Sequence, residues 1–356
     1  MPTFAFPNEF RQMQFAAMDV NRRAQGDALE LCGFGPIESD YRVISTGPHW
    51  RLREYADAHA SGRPSVLIVP APIKRPYIWD LAPSVSAVRH CLGHRFRVYL
   101  LEWTPASDDV QSIGVGEYAK DAISECVARV TDETQGRAPF LVGHSLGGTL
   151  AAIFCAIEQS VRGLVLLGAP LCFAPASSPF RDELLSLFTQ IPPETKIVPG
   201  SLLSQVSALA SPDTFLWARL KATAFSLFDP PAFEINARIE RWLLDEVPLP
   251  GRLVAEIVQF LYREDRFCRG ALPIGGRTVG PSTVRTPILA IVNSADAIAP
   301  LGAVKPFLDA APADETRIIE FPGERGIGIQ HLAFLAGPWV YAHIWPEIFS
   351  WLEARD

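Results

Sequence analysis

The run Gly143-His144-Ser145-Leu146-Gly147 places one serine hydroxyl between two glycines, each two positions away. An apolar stretch, Pro139 to Val142, precedes it with strand character, and the small residues Gly148-Thr149-Leu150-Ala151-Ala152 follow with helical character. Such a G-x-S-x-G turn thrusts its middle residue out of a sharp strand-to-helix corner in strained φ/ψ, where a Cβ two residues to either side would collide with it. Ser145 then stands at a helix N-terminus, whose free N–H groups and dipole favour an oxyanion. A serine hydroxyl is a poor nucleophile until a base takes its proton. That base in turn needs a carboxylate to hold its tautomer and stabilise the imidazolium.

In chains built around this turn the order is nucleophile, acid, base, with the acid after the penultimate strand and the base after the last. Asp296 and His331 occupy those two loops. Of the seven histidines, His49, His59, His90 and His94 precede the turn, and His144 lies within it and is expected to point elsewhere. His343 falls well inside the last helix, which leaves His331 as the base. A second oxyanion donor is expected from the loop Pro70-Ala71-Pro72-Ile73 after the apolar strand Ser65 to Val69. Proline has no N–H, so the donor is Ala71, Ile73 or a neighbour, with the Leu146 N–H as the other.

The elements that must position these groups alternate. Strand Ser65–Val69, a helix near 83 to 92, strand Arg97–Leu101, a helix near 116 to 131, the strand and helix of the serine turn, and strand Gly163–Leu167 follow in order. After a long interval come strand Pro287–Val292, a helix near 301 to 311, strand Thr316–Phe321 and a last helix to Glu353. This rhythm predicts an α/β fold with a mostly parallel sheet and helices on both faces. Ahead of it, Tyr41–Ser45 and His49–Tyr55 around Thr46-Gly47-Pro48 read as outer antiparallel strands. Asn8 is expected to cap a first helix, about 8 to 30, that packs its stripe Phe10, Met13, Ala17, Val20 and Ala24 onto the protein.

From 171 to 280 the pattern becomes helical, as in Leu202–Phe228 and Pro231–Leu244, broken by prolines and with no convincing strand. The chain therefore divides into a first core part (1–170), an all-helical cap (171–280) whose apolar residues, among them Leu187-Phe188 and Phe215-Leu216-Trp217, form core or pocket wall, and a second core part (281–356).

At 356 residues the length suits one core plus a cap, and 48% apolar residues supply a sizeable interior. A net charge of −7 and no basic run beyond two or three residues leave no footprint for nucleic acid. No metal-ligand spacing and no G-x-G-x-x-G after a strand are visible, so catalysis without metal or cofactor is expected. The six cysteines are scattered without a C-x-x-C, which reads as reduced thiols in the cytoplasm. Neither a signal peptide nor a membrane span is expected.

Several blocks carry a family likeness: Val69-Pro-Ala-Pro-Ile-Lys-Arg-Pro-Tyr-Ile-Trp-Asp-Leu81, Pro83-Ser84-Val85-Ser86 and Val98-Tyr-Leu-Leu-Glu-Trp103. Glu240-Arg-Trp-Leu-Leu-Asp245, Gly275-Gly-Arg-Thr-Val279 and His331 leading to Trp345-Pro-Glu-Ile-Phe-Ser-Trp351 continue it. From about residue 60 onward the chain thus resembles the polyhydroxyalkanoate synthase branch of the α/β-hydrolases. That resemblance implies an α/β-hydrolase core under a cap and acyl-transfer chemistry. Those synthases use a cysteine in the turn where this chain has Ser145, and Gln330 stands here where the family usually has glycine before the histidine.

A cysteine thioester is nearly isoenergetic with an acyl-CoA, whereas a serine oxyester is a more stable intermediate whose natural exit is to water or an alcohol. The expected function is therefore a serine hydrolase of an ester or thioester of an apolar or hydroxyacyl group, acyl-CoA among the candidate substrates. The alternatives are an acyltransferase or synthase-like enzyme and a catalytically silent accessory subunit. The exposed strands of the N-terminal hairpin or the apolar first helix could support an oligomer.

Overall fold

Ser65–Val69 lies inside an eight-stranded sheet, with every residue of the strand buried. The computed structural model describes residues 9–55, 62–187 and 195–356. In chain order the strands are β1 (Tyr41–Gly47), β2 (Trp50–Tyr55), β3 (Ser65–Val69), the short β4 (Asp80–Ala82) and β5 (Val85–Ser86), β6 (Arg97–Trp103), β7 (Phe140–His144) and β8 (Leu164–Leu167). The short β9 (Ile197–Val198), β10 (Leu249–Pro250), β11 (Leu272–Ile274) and β12 (Arg277–Val279) precede β13 (Ile288–Asn293) and β14 (Thr316–Phe321).

The main sheet runs β1-β2-β6-β3-β7-β8-β13-β14. β1, β2 and β6 pair antiparallel, and every pairing from β6 to β14 is parallel. Alternation along β3 feeds two cores: Leu67 and Val69 pack on the face of α3 (Ile123–Glu133) and α4 (Leu146–Ile157), Val66 and Ile68 on the opposite face. There they meet α2 (Ala87–Gly93) and the C-terminal helices. Helices on both faces explain why these strands read as continuous apolar runs. The expected mostly parallel α/β architecture is present.

Several local expectations shift. The helix expected near 83 begins only at Ala87, because the β4–β5 hairpin occupies 80–86 and the Ser86 hydroxyl accepts the Arg89 N–H at 2.9 Å as its N-cap. The last helix is three: α11 (Ala333–Ala336), α12 (Pro338–His343) and α13 (Trp345–Glu353), with Pro338 and Pro346 in their first turns.

Between β8 and β13 lie α5 (Pro179–Leu187), α6 (Gly200–Ala210), α7 (Ala218–Ser226), α8 (Pro230–Leu243) and α9 (Gly251–Glu256). The expected all-helical character is corrected by two small antiparallel ladders, β9–β10 and β11–β12. They are two and three residues long, too short for a period-2 signal. The stretch Leu202–Phe228 breaks after Ala210, where Pro212 precedes a π-helical turn at Asp213–Trp217. Phe188 lies outside the described residues, while Leu216 and Trp217 are exposed.

The thiols are not all reduced. Cys172, just past β8, is disulfide-bonded to Cys268, 96 residues later, while Cys32, Cys91, Cys126 and Cys155 are free. The chain leaving the sheet and the chain returning to it run side by side here. Phe173 N–H donates to Asp265 Oδ1 at 2.7 Å, and the Phe173 and Tyr262 rings sit 4.7 Å apart.

α1 (Glu9–Leu29) does pack onto the protein, against α6 and α8, but not by the expected stripe. Met13, Ala17, Val20 and Ala24 face outward, and Phe15, Asp19, Arg22 and Gly26 face the protein. The Asp19 carboxylate accepts the Ser201 N–H at 2.7 Å at the start of α6, and Arg22 is drawn into an ion pair with Glu246. Asn8 and the side chain of Phe10 lie outside the described residues. No described helix is long and apolar enough to cross a membrane.

Candidate active site

At the end of β7 the chain turns through Ser145 with φ 55° and ψ −136°, and α4 begins at Leu146. A non-glycine residue at positive φ is a strained conformation held by its surroundings. Its own N–H is fixed by Leu167 O at 3.1 Å. The flanking glycines serve close packing rather than relief of the serine. A Cβ on Gly143 would meet Gly148 Cα at 2.5 Å, one on Gly147 would meet Val69 O at 2.2 Å, and one on Gly148 would meet the Ala169 Cβ at 2.5 Å. The third glycine thus lets α4 seat on the sheet, and the second lets it touch the loop after β3.

Asp296 follows β13 and His331 sits in a 3₁₀ turn at Gln330–Leu332, past β14. His331 Nδ1 is 2.6 Å from Asp296 Oδ2, and both side chains are buried. The other Asp296 oxygen accepts the Ile298 N–H at 2.8 Å, so the carboxylate is aimed from both ends. With Nδ1 against a carboxylate, Nε2 is the nitrogen free to act as acceptor, and it is buried with no hydrogen-bond partner. Asn293 and Gln330 shape the loop that carries His331. Asn293 Nδ2 donates to Gln330 O at 2.9 Å, and Gln330 binds Glu324 N–H through Oε1 and the Glu324 and Ile327 carbonyls through Nε2. Gln330 therefore ties the glycine-containing loop together from within.

Ser145 and His331 line one cavity of about 230 Å³, together with Leu146, Ala71 and Ile73. The loop after β3 is stiff at its start, where Trp103 Nε1 donates to Pro70 O at 2.7 Å. The far walls are apolar, with Phe180, Leu184, Phe215, Val254 and Val258 from the inserted helices. A charged edge breaks this surface: Lys74 and Glu246 also line the cavity, their side chains 2.6 Å apart. Burial pushes the Lys74 ammonium down to about 8, against the pull of Glu246. Among the described residues no cluster of three or more His, Cys, Asp or Glu could hold a metal ion.

His144 corrects an expectation. Rather than pointing elsewhere, it lines the cavity, its ring 4.7 Å from that of His331 and its Nε2 2.7 Å from the His331 carbonyl oxygen. Burial, and then the neighbouring His331, hold its pKa well below the usual histidine value. It is therefore neutral, and its Nε2–H is the donor. Sequence position hid this contact, because the residue before Ser145 meets His331 only when β7 and the loop after β14 are folded side by side. His343 is exposed, bonded to Trp339 O at 2.9 Å, and lies away from the cavity.

Relatives by sequence include the poly(3-hydroxyalkanoate) polymerase subunit PhaC of Haloferax mediterranei, 27% identical over 99% of this chain and 72% of that protein. The subunit of the same name from Allochromatium vinosum is 23% identical over 82% of this chain and 81% of its own. By structure the chain is similar to a putative lipase from Sulfolobus solfataricus, with a TM-score of 0.54, 14% identity and coverage of 89% of this chain and 99% of that one. It is equally similar to a soluble variant of the monoglyceride lipase of Saccharomyces cerevisiae, with a TM-score of 0.54, 12% identity and coverage of 91% and 98%. Residues 78–332 match the family model described as alpha/beta hydrolase fold. With a serine turn, an eight-stranded sheet in this order and that match, the chain belongs to the alpha/beta hydrolase fold family.

Proposed function

We propose that this protein is a serine hydrolase of an ester or thioester of an apolar or hydroxyacyl group, acting through an acyl-Ser145 intermediate beneath a cap formed by residues 171–280. The observation that carries it is the 2.6 Å Asp296–His331 contact, with the unpartnered Nε2 of His331 and Ser145 on the wall of the same apolar cavity. Ser145 Oγ adds to the acyl carbon as its proton passes to His331 Nε2, and Asp296 stabilises the imidazolium. The carbonyl electron pair moves onto oxygen, held by the Leu146 N–H and by a donor of the Ala71–Ile73 loop. Collapse expels the alcohol or thiol, which takes the proton from His331. Water then adds to the acyl-enzyme with His331 as base, releasing acid and restoring Ser145.

The second reading is acyl transfer or synthase-like chemistry, favoured by relatives named poly(3-hydroxyalkanoate) polymerase. Here an alcohol replaces water in the last step. Ser145 favours hydrolysis, because the oxyester it forms is not matched in energy to a thioester donor. The compartment we propose is the cytoplasm, from the four unpaired cysteines, and Cys172–Cys268 is the feature that argues the other way.

The test is the fate of an acyl group. The protein is incubated with acyl-CoA thioesters and p-nitrophenyl esters, with and without an alcohol acceptor, and enzyme and products are followed by mass spectrometry. Free acid is expected, with a loss on the order of a thousandfold or more in Ser145→Ala. Transferred ester or oligomer would replace hydrolysis by the second reading. Absence of any Ser145-dependent turnover or acyl-enzyme would remove both.

A further inference from the structure

We propose that Glu246 is a positioning residue for the oxyanion side of the site, and that α1, through Arg22, holds it there, which makes the N-terminal helix part of the catalytic machinery. The inference rests on the serine hydrolase reading for its kinetic consequence.

The loop that carries Ala71 and Ile73 is anchored at two ends. Its start is jammed against Gly147 and tied by Trp103, as described above. Its far end pairs with the segment after α8: Val247 N–H donates to Ile73 O at 3.3 Å, Lys74 bridges antiparallel to Glu246, and Arg75 N–H donates to Asp245 O at 3.4 Å. Two backbone bonds on a short irregular segment are a weak fastening, and the side chains supply the rest. Lys74 Nζ turns back to Glu246 Oε1 at 2.6 Å and to Leu243 O at 2.5 Å, over the Trp242 ring at 5.3 Å. Trp242 Nε1 in turn donates to Arg75 O at 2.8 Å.

Glu246 is shared. Arg22 of α1 binds it through Nε and Nη2, each at 2.8 Å, and Nη2 also donates to Leu243 O at 2.7 Å. One carboxylate thus faces two cations, and both cations reach the same carbonyl at the C-terminal end of α8, where the helix dipole favours positive charge. Arg219, the next cation, is already paired with Glu240. The Glu246 side chain is 4% exposed, so removing its charge would leave Lys74 and Arg22 without their anion in a low-dielectric setting. Lys74, on the oxyanion loop itself, would have to move. Two other polar anchors of α1, the Asp19 carboxylate and the Phe15 carbonyl, both hold Ser201 at the start of α6.

A group that positions oxyanion donors acts on the transition state more than on the bound ester, so it should move kcat more than KM. The experiment compares Glu246→Gln, Arg22→Met and Arg22→Lys with the parent, using a p-nitrophenyl ester and normalising turnover to active sites titrated with a phosphonate probe. Amide hydrogen exchange of peptides covering residues 70–75 is measured in parallel. We expect kcat per titrated site to fall at least tenfold in Glu246→Gln and about three- to tenfold in Arg22→Met, with KM within threefold. Arg22→Lys should recover part of the loss, and the loop should exchange at least fivefold faster in Arg22→Met.

A merely structural role would lower the titratable fraction while leaving kcat per site within twofold, and that result overturns the inference. Unchanged exchange at 70–75 in Arg22→Met overturns it also. If Glu246→Gln does not fold, Arg22→Met, altered at a partly exposed position, decides alone. A parent without Ser145-dependent turnover would sink the hydrolase reading, and the exchange measurement would then judge the coupling of α1 to the loop by itself.

Discussion

At the scale of single residues, Ser145, Asp296 and His331 could be singled out from chain order and spacing, whereas the groups that hold them could not. His144 is the clearest case. Its neutral ring donates to the backbone of His331, so it holds the loop that carries His331 through the main chain. The same burial predicts a pH signature. The folded pKa of His144 is depressed while the unfolded chain titrates near 6.5, so below that value the unfolded state binds the extra proton and stability falls with falling pH. Above about pH 7 this contribution is fully present. His49, also depressed by burial, acts in the same window. His144→Gln keeps an N–H donor and removes one titration, so the drop in Tm between pH 7.5 and 5.5 should be smaller than in the parent. An equal drop in both proteins would show that His144 is not linked to folding.

At the scale of elements, the serine turn depends on how closely α4 can lie against its neighbours. Gly148→Ala places a Cβ 2.5 Å from that of Ala169 and 2.9 Å from Gly143 O, the first locked in the core and the second backbone. The expected loss is about 2–3 kcal/mol by urea unfolding, as for overpacked cores. Full stability would mean that helix and sheet can separate at no cost. α1 teaches the opposite lesson about apolar pattern. Its stripe through Met13 and Val20 had helical spacing but faces outward, because the polar anchors Asp19 and Arg22 decide which side meets the protein. An ion pair with a residue 224 positions away leaves no trace in local periodicity.

At the scale of the whole molecule, the segment between β8 and β13 is closed on itself by Cys172–Cys268. Linking residues 96 apart restricts the unfolded chain, a contribution of about 2–4 kcal/mol. The paired substitution Cys172→Ser/Cys268→Ser should lower Tm, and dithiothreitol should lower the Tm of the parent but not of the variant. If the reductant shifts both equally, the bond is not the source.

The amino-acid sequence by itself determined what local chemistry and period can encode. The buried strands, the glycine-flanked serine turn, the α/β rhythm and the order Ser145, Asp296, His331 all follow from residue type and near-neighbour spacing. Only tertiary structure decided which distant groups meet: Cys172 with Cys268, His144 with the His331 carbonyl, Arg22 and Lys74 on one carboxylate. Those contacts depend on where β7, α1 and the loops after β3 and β14 come to lie in three dimensions. Pattern along the chain reports the faces that the strands bury but not the one α1 buries, whereas a pairing between residues 96 to 224 positions apart is set by the packing of whole elements.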